Sequence, residues 1–174
     1  MKREKKMLIG YLTGGLLVLV VVPLFIYLLT LFIGRFYQVL LIGNLASRLV
    51  LIALLLIPGL LFAVWSLAEQ NNRGEGGPLE IGNLEISPKT RMLVTSGPYR
   101  YTRNPMLFGA FLLYLAYALV LNSLSSLILV FLLFALMLGL VVPMEEKRLE
   151  KDFGEAYLEY RKSVPVFFPR FSKR

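Results

Sequence analysis

Two regions of the chain concentrate the residue types that can do chemistry. Gly97-Pro98-Tyr99-Arg100-Tyr101-Thr102-Arg103-Asn104-Pro105-Met106 carries two arginines, two tyrosines and an asparagine, and Glu145-Glu146 follows after a long apolar stretch broken only near Asn122-Ser123. If that stretch crosses a bilayer and returns, Arg100 and Arg103 share one membrane surface with Glu145 and Glu146. Carboxylates at the depth where apolar core meets interface are costly unless partnered, which makes the pair a site candidate; the plain alternative is a solvated helix cap. The arginines can pair with these acids or hold an anionic group bidentately, and they are also what topology alone puts at a cytoplasmic boundary. Tyr99 and Tyr101 offer flat faces for an adenine or a sulfonium, or serve as interfacial anchors. Asn104-Pro105 fixes a turn, so a helix begins at Pro105 or Met106. Its free backbone N–H groups can receive a carboxylate.

The chain has no cysteine and no histidine. Disulfides, thiolate nucleophiles, His-ligated metals and a histidine general base are thereby excluded, and no metal is expected. The residues that remain suit binding and orienting a cofactor that brings its own reactivity, and methyl transfer from a sulfonium is one such reaction.

The elements that must position these residues are apolar helices. Hydrophobic residues make up 57% of the 174, and mean hydropathy is +0.68, too apolar for a soluble domain of this size. The expected fold is all-α: a single polytopic membrane domain over 1–174, with four spans near 7–34, 49–68, 106–121 and 126–143. A cytoplasmic loop covers 69–105 and a cytoplasmic segment 144–174. The third span is the shortest and needs flanking residues to complete it. The first apolar run is too long for a signal-peptide core and lacks a convincing cleavage site, so it is expected to remain as an anchor.

The net charge of +8 follows the same plan. Four lysines and arginines precede the first span, five lie between the second and third, and eight follow the fourth, against only Arg35 and Arg48 in the first outer loop. The positive-inside rule places both termini and the polar regions in the cytoplasm, and lipid headgroups rather than nucleic acid account for the charge. The expected partners are the bilayer and a lipid-soluble substrate; no oligomeric state is legible.

Pro23, Pro58-Gly59 and Gly14-Gly15 read as kinks or packing points within the spans. In the glycine-rich loop 69–96, Gly74-Glu75-Gly76 is a weak signal for a ligand-hugging turn, with an ordinary turn as the alternative. After the fourth span Glu145 to Lys151 is helical in pattern, and Gly154 is a terminator. Phe153, Tyr157, Tyr160 and Val164 then recur at helical steps. Their aromatic stripe suits an amphipathic helix lying on the bilayer interface or a lid over the site.

The ordered set of Gly97 to Met106, the apolar hairpin, Glu145-Glu146, Phe153-Gly154-Glu155-Ala156-Tyr157 and Val164-Pro165…Pro169-Arg170 resembles the isoprenylcysteine carboxyl methyltransferase and phospholipid methyltransferase superfamily. The resemblance covers about residues 74–170. It implies S-adenosylmethionine as cofactor and a lipid acceptor entering from the membrane. It places the cofactor on Arg103, Asn104, Pro105, Glu145 and Glu146, and by a looser correspondence on Gly74 and Gly76; Gly97, Tyr99 and Met106 are taken with them. Arg103, Asn104 and Glu146 are the catalytic candidates, and Arg100, Tyr157, Tyr160 and Arg161 the substrate candidates. Three positions depart from the pattern: Asn104 stands where histidine is common, Leu107 where tyrosine is common, and Ser163 where the isoprenylcysteine branch has arginine. The last departure favours a phospholipid amine such as phosphatidylethanolamine as acceptor. Carboxyl methylation of an isoprenylcysteine and thiol methylation are the alternatives, and a non-catalytic lipid-binding membrane protein is the rival class.

Overall fold

The computed structural model describes residues 3–74, 80–81, 84–85 and 90–171. Helix α1 (Arg3–Leu16) runs through a π-helical turn, Leu17–Val21, into α2 (Val22–Gly34). Helix α3 (Leu45–Glu69) ends in a second π turn, Gln70–Gly74. A two-residue antiparallel pairing joins β1 (Glu80–Ile81) to β2 (Leu84–Glu85). The 3₁₀ turn Gly97–Arg100 leads to α4 (Pro105–Leu121) and α5 (Leu124–Leu136). A third π turn, Met137–Val141, carries α5 into α6 (Val142–Phe153), and α7 (Glu155–Ser163) follows.

Three continuous segments, Glu4–Gly34, Leu45–Gly74 and Leu124–Phe153, are long and apolar enough to cross a membrane, with Pro105–Leu121 as a shorter apolar helix. The polytopic all-helical architecture expected from the composition is therefore present. At about 1.5 Å per residue α4 rises only about 25 Å, so its flanking turns must reach the interface. Leu19, Leu54, Leu61 and Phe131 stand exposed on the outer surfaces, as lipid-facing residues should.

Proline explains two of the three π turns. Pro23 and Pro143 sit in the first turns of α2 and α6, where each lacks an N–H and crowds the preceding turn. Widening that turn leaves Val22 N–H bonded to Leu17 O, and Val142 N–H to Met137 O. Because α6 continues from α5, Glu145 and Glu146 lie inside a helix that ends only at Phe153. The solvated-cap alternative is thereby corrected, since no helix end is near them. Gly154, at φ +56°, makes the stop.

Helices α3 and α4 form the most extensive pair, brought close at Gly59, where a Cβ would meet the Leu113 side chain at 3.0 Å. The main core is Ile26, Phe111, Tyr114, Ala118, Val130 and Phe134, joined by Phe167 from the C-terminal segment. At the α4–α5 turn Asn122 takes a left-handed conformation (φ 49°), and its side-chain amide both accepts from Ile42 N (3.0 Å) and donates to Ile42 O (3.1 Å). Helix α7 is amphipathic, as its pattern predicts. Its stripe turns inward: Tyr157, Tyr160 and Val164 pack with Leu93, Leu149 and Phe153 and cover the polar turn ahead of α4.

Candidate functional site

The polar residues gather around the C-terminal end of α3, the turn ahead of α4 and the first turns of α6, in two adjoining clusters. The first is organised by Gly97. Its φ of +57° is one that side-chain-bearing residues rarely adopt, and a Cβ there would meet Glu69 Cδ at 2.9 Å. The bare backbone lets Ser96 Oγ donate to Glu69 Oε1 (2.5 Å), which Arg73 also contacts through Nε (2.8 Å). Tyr99 from the same turn donates its hydroxyl to Gln70 Oε1 at 3.2 Å. Burial, then the nearby carboxylates of Glu145 and Glu69, push the Tyr99 hydroxyl far above its ordinary value, so it stays a neutral donor. Gly74 closes the cluster: its carbonyl accepts from Arg91 N (2.9 Å), and a Cβ on it would meet Val94 at 2.8 Å. Gly76 lies outside the described residues.

The second cluster is centred on Glu146. Its Oε1 lies 2.6 Å from the Arg103 guanidinium, both side chains nearly buried at 13% and 12% exposure, and its Oε2 lies 3.6 Å from Arg161 Nε. Tyr157 stands beside Arg103 and Glu146 and is itself 1% exposed. Its buried hydroxyl interacts with the Arg103 guanidinium, while Arg103 Nε is buried with no hydrogen-bond partner among the described residues. A buried donor left open is costly in a closed protein and marks a place where a polar ligand group fits.

The two glutamates therefore serve different neighbourhoods. Glu145 pairs on its own helix with Arg148, whose Nε reaches it at 3.1 Å and whose NH1 reaches Asp152 at 3.2 Å. Arg148 is thus buried and charged but neutralised. Of the two arginines expected to face the acids, Arg103 does so, whereas Arg100 lines a cleft with Glu159 and Arg170.

The turn is clasped by the C-terminal segment. Arg103 N donates to Pro165 O (2.9 Å), Arg170 N to Tyr101 O (2.9 Å), and Thr102 Oγ1 to Val166 O (3.3 Å). Asn104 donates its side-chain amide to Val166 O at 2.8 Å, while its carbonyl accepts the first bond of α4 from Phe108 N (3.0 Å). Pro105 is buried at the first position of α4, with Met106 half-buried behind it. From above, Tyr160 donates its hydroxyl to Tyr99 O (2.7 Å); burial holds that hydroxyl protonated well past the usual tyrosine range.

Glu69, Gln70 and Arg148 were missed by the motif-led reading. Glu69 did leave a signal, since it follows the apolar run of α3 directly, as Glu145 and Glu146 follow theirs.

A family model for phospholipid methyltransferase matches residues 47–156, which take in most of α3, the first cluster, Arg103 and Glu146 of the second, and α6. The chain belongs to the phospholipid methyltransferase family. Among curated relatives of this family member, the cobalt-zinc-cadmium resistance protein CzcN of Cupriavidus metallidurans is 38% identical over 84 residues, 48% of this chain and 38% of that protein. The nickel-cobalt-cadmium resistance protein NccN of Alcaligenes xylosoxydans xylosoxydans is 33% identical over 84 residues, 48% of this chain and 39% of that protein. The protein-S-isoprenylcysteine O-methyltransferase of Schizosaccharomyces pombe is 35% identical over 81 residues, 47% of this chain and 34% of that protein. The matches thus span less than half the length of each relative. No solved structure matches the chain.

Proposed function

We propose that this family member is an integral membrane methyltransferase that transfers a methyl group from S-adenosylmethionine to a lipid-soluble acceptor, with a phospholipid amine favoured, at a site on the cytoplasmic side. The observation that carries the reading is the buried Arg103–Glu146 pair beside Tyr157, where Arg103 Nε has no partner among the described residues and suits an anionic or polar group. The donor set fits the cofactor. Arg103 Nε and the Tyr157 hydroxyl suit the carboxylate of its amino-acid moiety. Glu69 and Glu145 keep acceptor capacity beyond their present bonds, which suits ribose hydroxyls and an ammonium group. The Tyr99 ring, with Glu145 and Glu69 near enough to act on its hydroxyl, suits a cationic sulfonium.

The bound cofactor would supply an already activated methyl group on sulfur. What the protein must then do is align donor and acceptor and exclude water. Tyr160 and Tyr157 pin α7 over the turn, and the Asn104–Val166 bond pins the tail beneath it, so Asn104 acts as a positioning residue. The acceptor preference rests on Arg103 and Ser163. In this reading Arg103 is engaged by Glu146 and by the cofactor carboxylate, and Ser163, a neutral residue, donates its hydroxyl to Tyr160 O, so neither offers a fixed cation to a substrate carboxylate. An amine acceptor must be neutral when it attacks, so the rate rises with pH as its proton is lost to water.

Two measurements test this. Calorimetric titration of the detergent-solubilised protein with S-adenosylmethionine separates an enzyme, which binds, from a lipid-binding scaffold, which does not. A side-by-side assay of phosphatidylethanolamine and a farnesylated cysteine analogue across a pH series should show faster turnover of the amine, rising with pH. Faster turnover of the prenylated carboxylate would reverse the acceptor assignment.

A further inference from the structure

A cavity of about 160 Å³ lies at the far end of α4 from Asn104, between the last turns of α2, the loop that follows them and the α4–α5 turn. Gln38, Val39 and Leu40 of that loop line it, and the loop is held in place: Leu124 N donates to Val39 O (2.9 Å), and the Asn122 amide exchanges two hydrogen bonds with Ile42. Thr30 also lines the cavity and is 8% exposed, yet its hydroxyl has no hydrogen-bond partner among the described residues. Other helix hydroxyls turn back onto their own helix, Thr13 onto Ile9 O at 2.6 Å and Ser66 onto Phe62 O at 2.5 Å. Thr30 makes no such bond, which leaves a buried hydroxyl beside an open space, a costly arrangement unless something fills it.

The lining limits what the occupant can be. No charged side chain lines the cavity, so a phosphate, a carboxylate or an ammonium group would sit there unpaired. The Thr30 hydroxyl and the Gln38 amide together offer a donor and an acceptor, which suits a single hydroxyl group. Leu31, Val39, Leu40 and Leu121 make up an apolar wall. Water bonded to Thr30 would leave that wall wet, whereas an amphiphile covers it and satisfies the hydroxyl at once. Leu31 and Leu40 are also exposed on the outer surface, as are Phe36 and Tyr37 of the loop, so the mouth of the cavity opens toward lipid at the membrane interface.

We propose that this cavity binds the hydroxyl end of a neutral membrane alcohol, its O–H engaged by Thr30 and Gln38 and its hydrocarbon chain leaving along Leu31 and Leu40 into the bilayer. Helix α4, rising about 25 Å, separates the cavity from the Asn104 turn, so the occupant is a bound lipid distinct from the methyl acceptor. Its binding is independent of methyl transfer.

The full chain in detergent is irradiated with a diazirine-bearing analogue of oleyl alcohol, its photoreactive group near the hydroxyl, and the labelled peptides are mapped. Label should fall within residues 27–40 and 121–123 and be competed by oleyl alcohol, but far less by 1-octadecene, which lacks the hydroxyl, or by ionised oleate. Thr30→Val should weaken binding about tenfold, the scale for leaving a buried hydroxyl unpaired. Gly34→Leu should abolish it by filling the cavity, since Gln38 is the near neighbour of a Cβ there, at 3.5 Å. Without the alcohol, Thr30→Val should melt no lower than the wild type, because the hydroxyl it removes has no partner among the described residues. On adding oleyl alcohol the wild type should gain melting temperature and both variants should not. Three results would overturn the proposal: 1-octadecene competing as well as oleyl alcohol, labelling of both variants equal to that of the wild type, or a ligand-free Thr30→Val protein that melts well below the wild type, which would mean that the hydroxyl is already bonded within the fold.

Discussion

Gly109 of α4 lies so close to α3 that a Cβ on it would meet the backbone nitrogen of Ala63 at 2.7 Å. Backbone cannot swing aside as a side chain can, so the contact sets how near the two helices come, and with it how near Glu69 comes to the turn at Gly97.

Gly109→Ala should therefore force α3 and α4 apart and destabilise the protein by about 1–3 kcal/mol, the scale of overpacking a closed contact. Thermal unfolding in detergent measures it. The same variant should lose cofactor affinity although residue 109 lies well inside the span, because the first cluster is assembled across that interface. A melt and affinity like those of the wild type would mean that the crossing is looser than the distance implies.

Glu146→Gln leaves Arg103 and Arg161 facing each other without the carboxylate that separates them. Binding of S-adenosylmethionine should weaken by about 1–3 kcal/mol, and stability should fall by a similar amount, since a nearly buried guanidinium loses its partner. Glu145→Gln should be milder for the fold, because Arg148 keeps Asp152. Calorimetric titration and thermal melts of both variants check the contrast; equal losses of stability would contradict it.

Tyr99 and Tyr160 retain their protons in the folded protein beyond the 10.0 at which a free tyrosine titrates, chiefly because both are buried. At alkaline pH the unfolded chain therefore gives up protons that the folded chain keeps. Stability is fully present below about pH 10 and is lost as pH rises above it. The melting temperature should stay flat up to about pH 9 and then fall steeply, and the Tyr99→Phe/Tyr160→Phe double variant should fall less steeply. Ionisation of every tyrosine before unfolding, read at the phenolate absorbance band, would count against this.

The chain has no cysteine of its own, so introduced ones report topology cleanly. Gln38→Cys, in the loop after α2, and Lys151→Cys, in α6, should be labelled from opposite sides of sealed vesicles, with position 151 on the cytoplasmic side. Labelling from one side would remove the four-span arrangement inferred from the charge distribution.

The features legible in the chain alone were those encoded locally. Apolar runs over 7–34, 49–68, 106–121 and 126–143 announce membrane helices because the bilayer rewards nothing else of that length. Asn104-Pro105 and Gly154 mark helix ends because proline and glycine act on their own backbone, and helix α4 begins at Pro105 while α6 stops before Gly154. The polar turn and the glutamate pair stand out as charges where apolar runs stop. Which charge meets which was not legible. Arg100 and Arg103 are three residues apart on one short turn, and only the packing of α7 and the tail sends one to Glu146 and the other into the cleft. Glu69 joins the site because Gly97 and the Gly59–Gly109 crossing allow two backbones to approach, and that closeness depends on groups that are absent rather than present. The pairing of ends distant in sequence is decided by how the helices fit together, and no local pattern carries that distance.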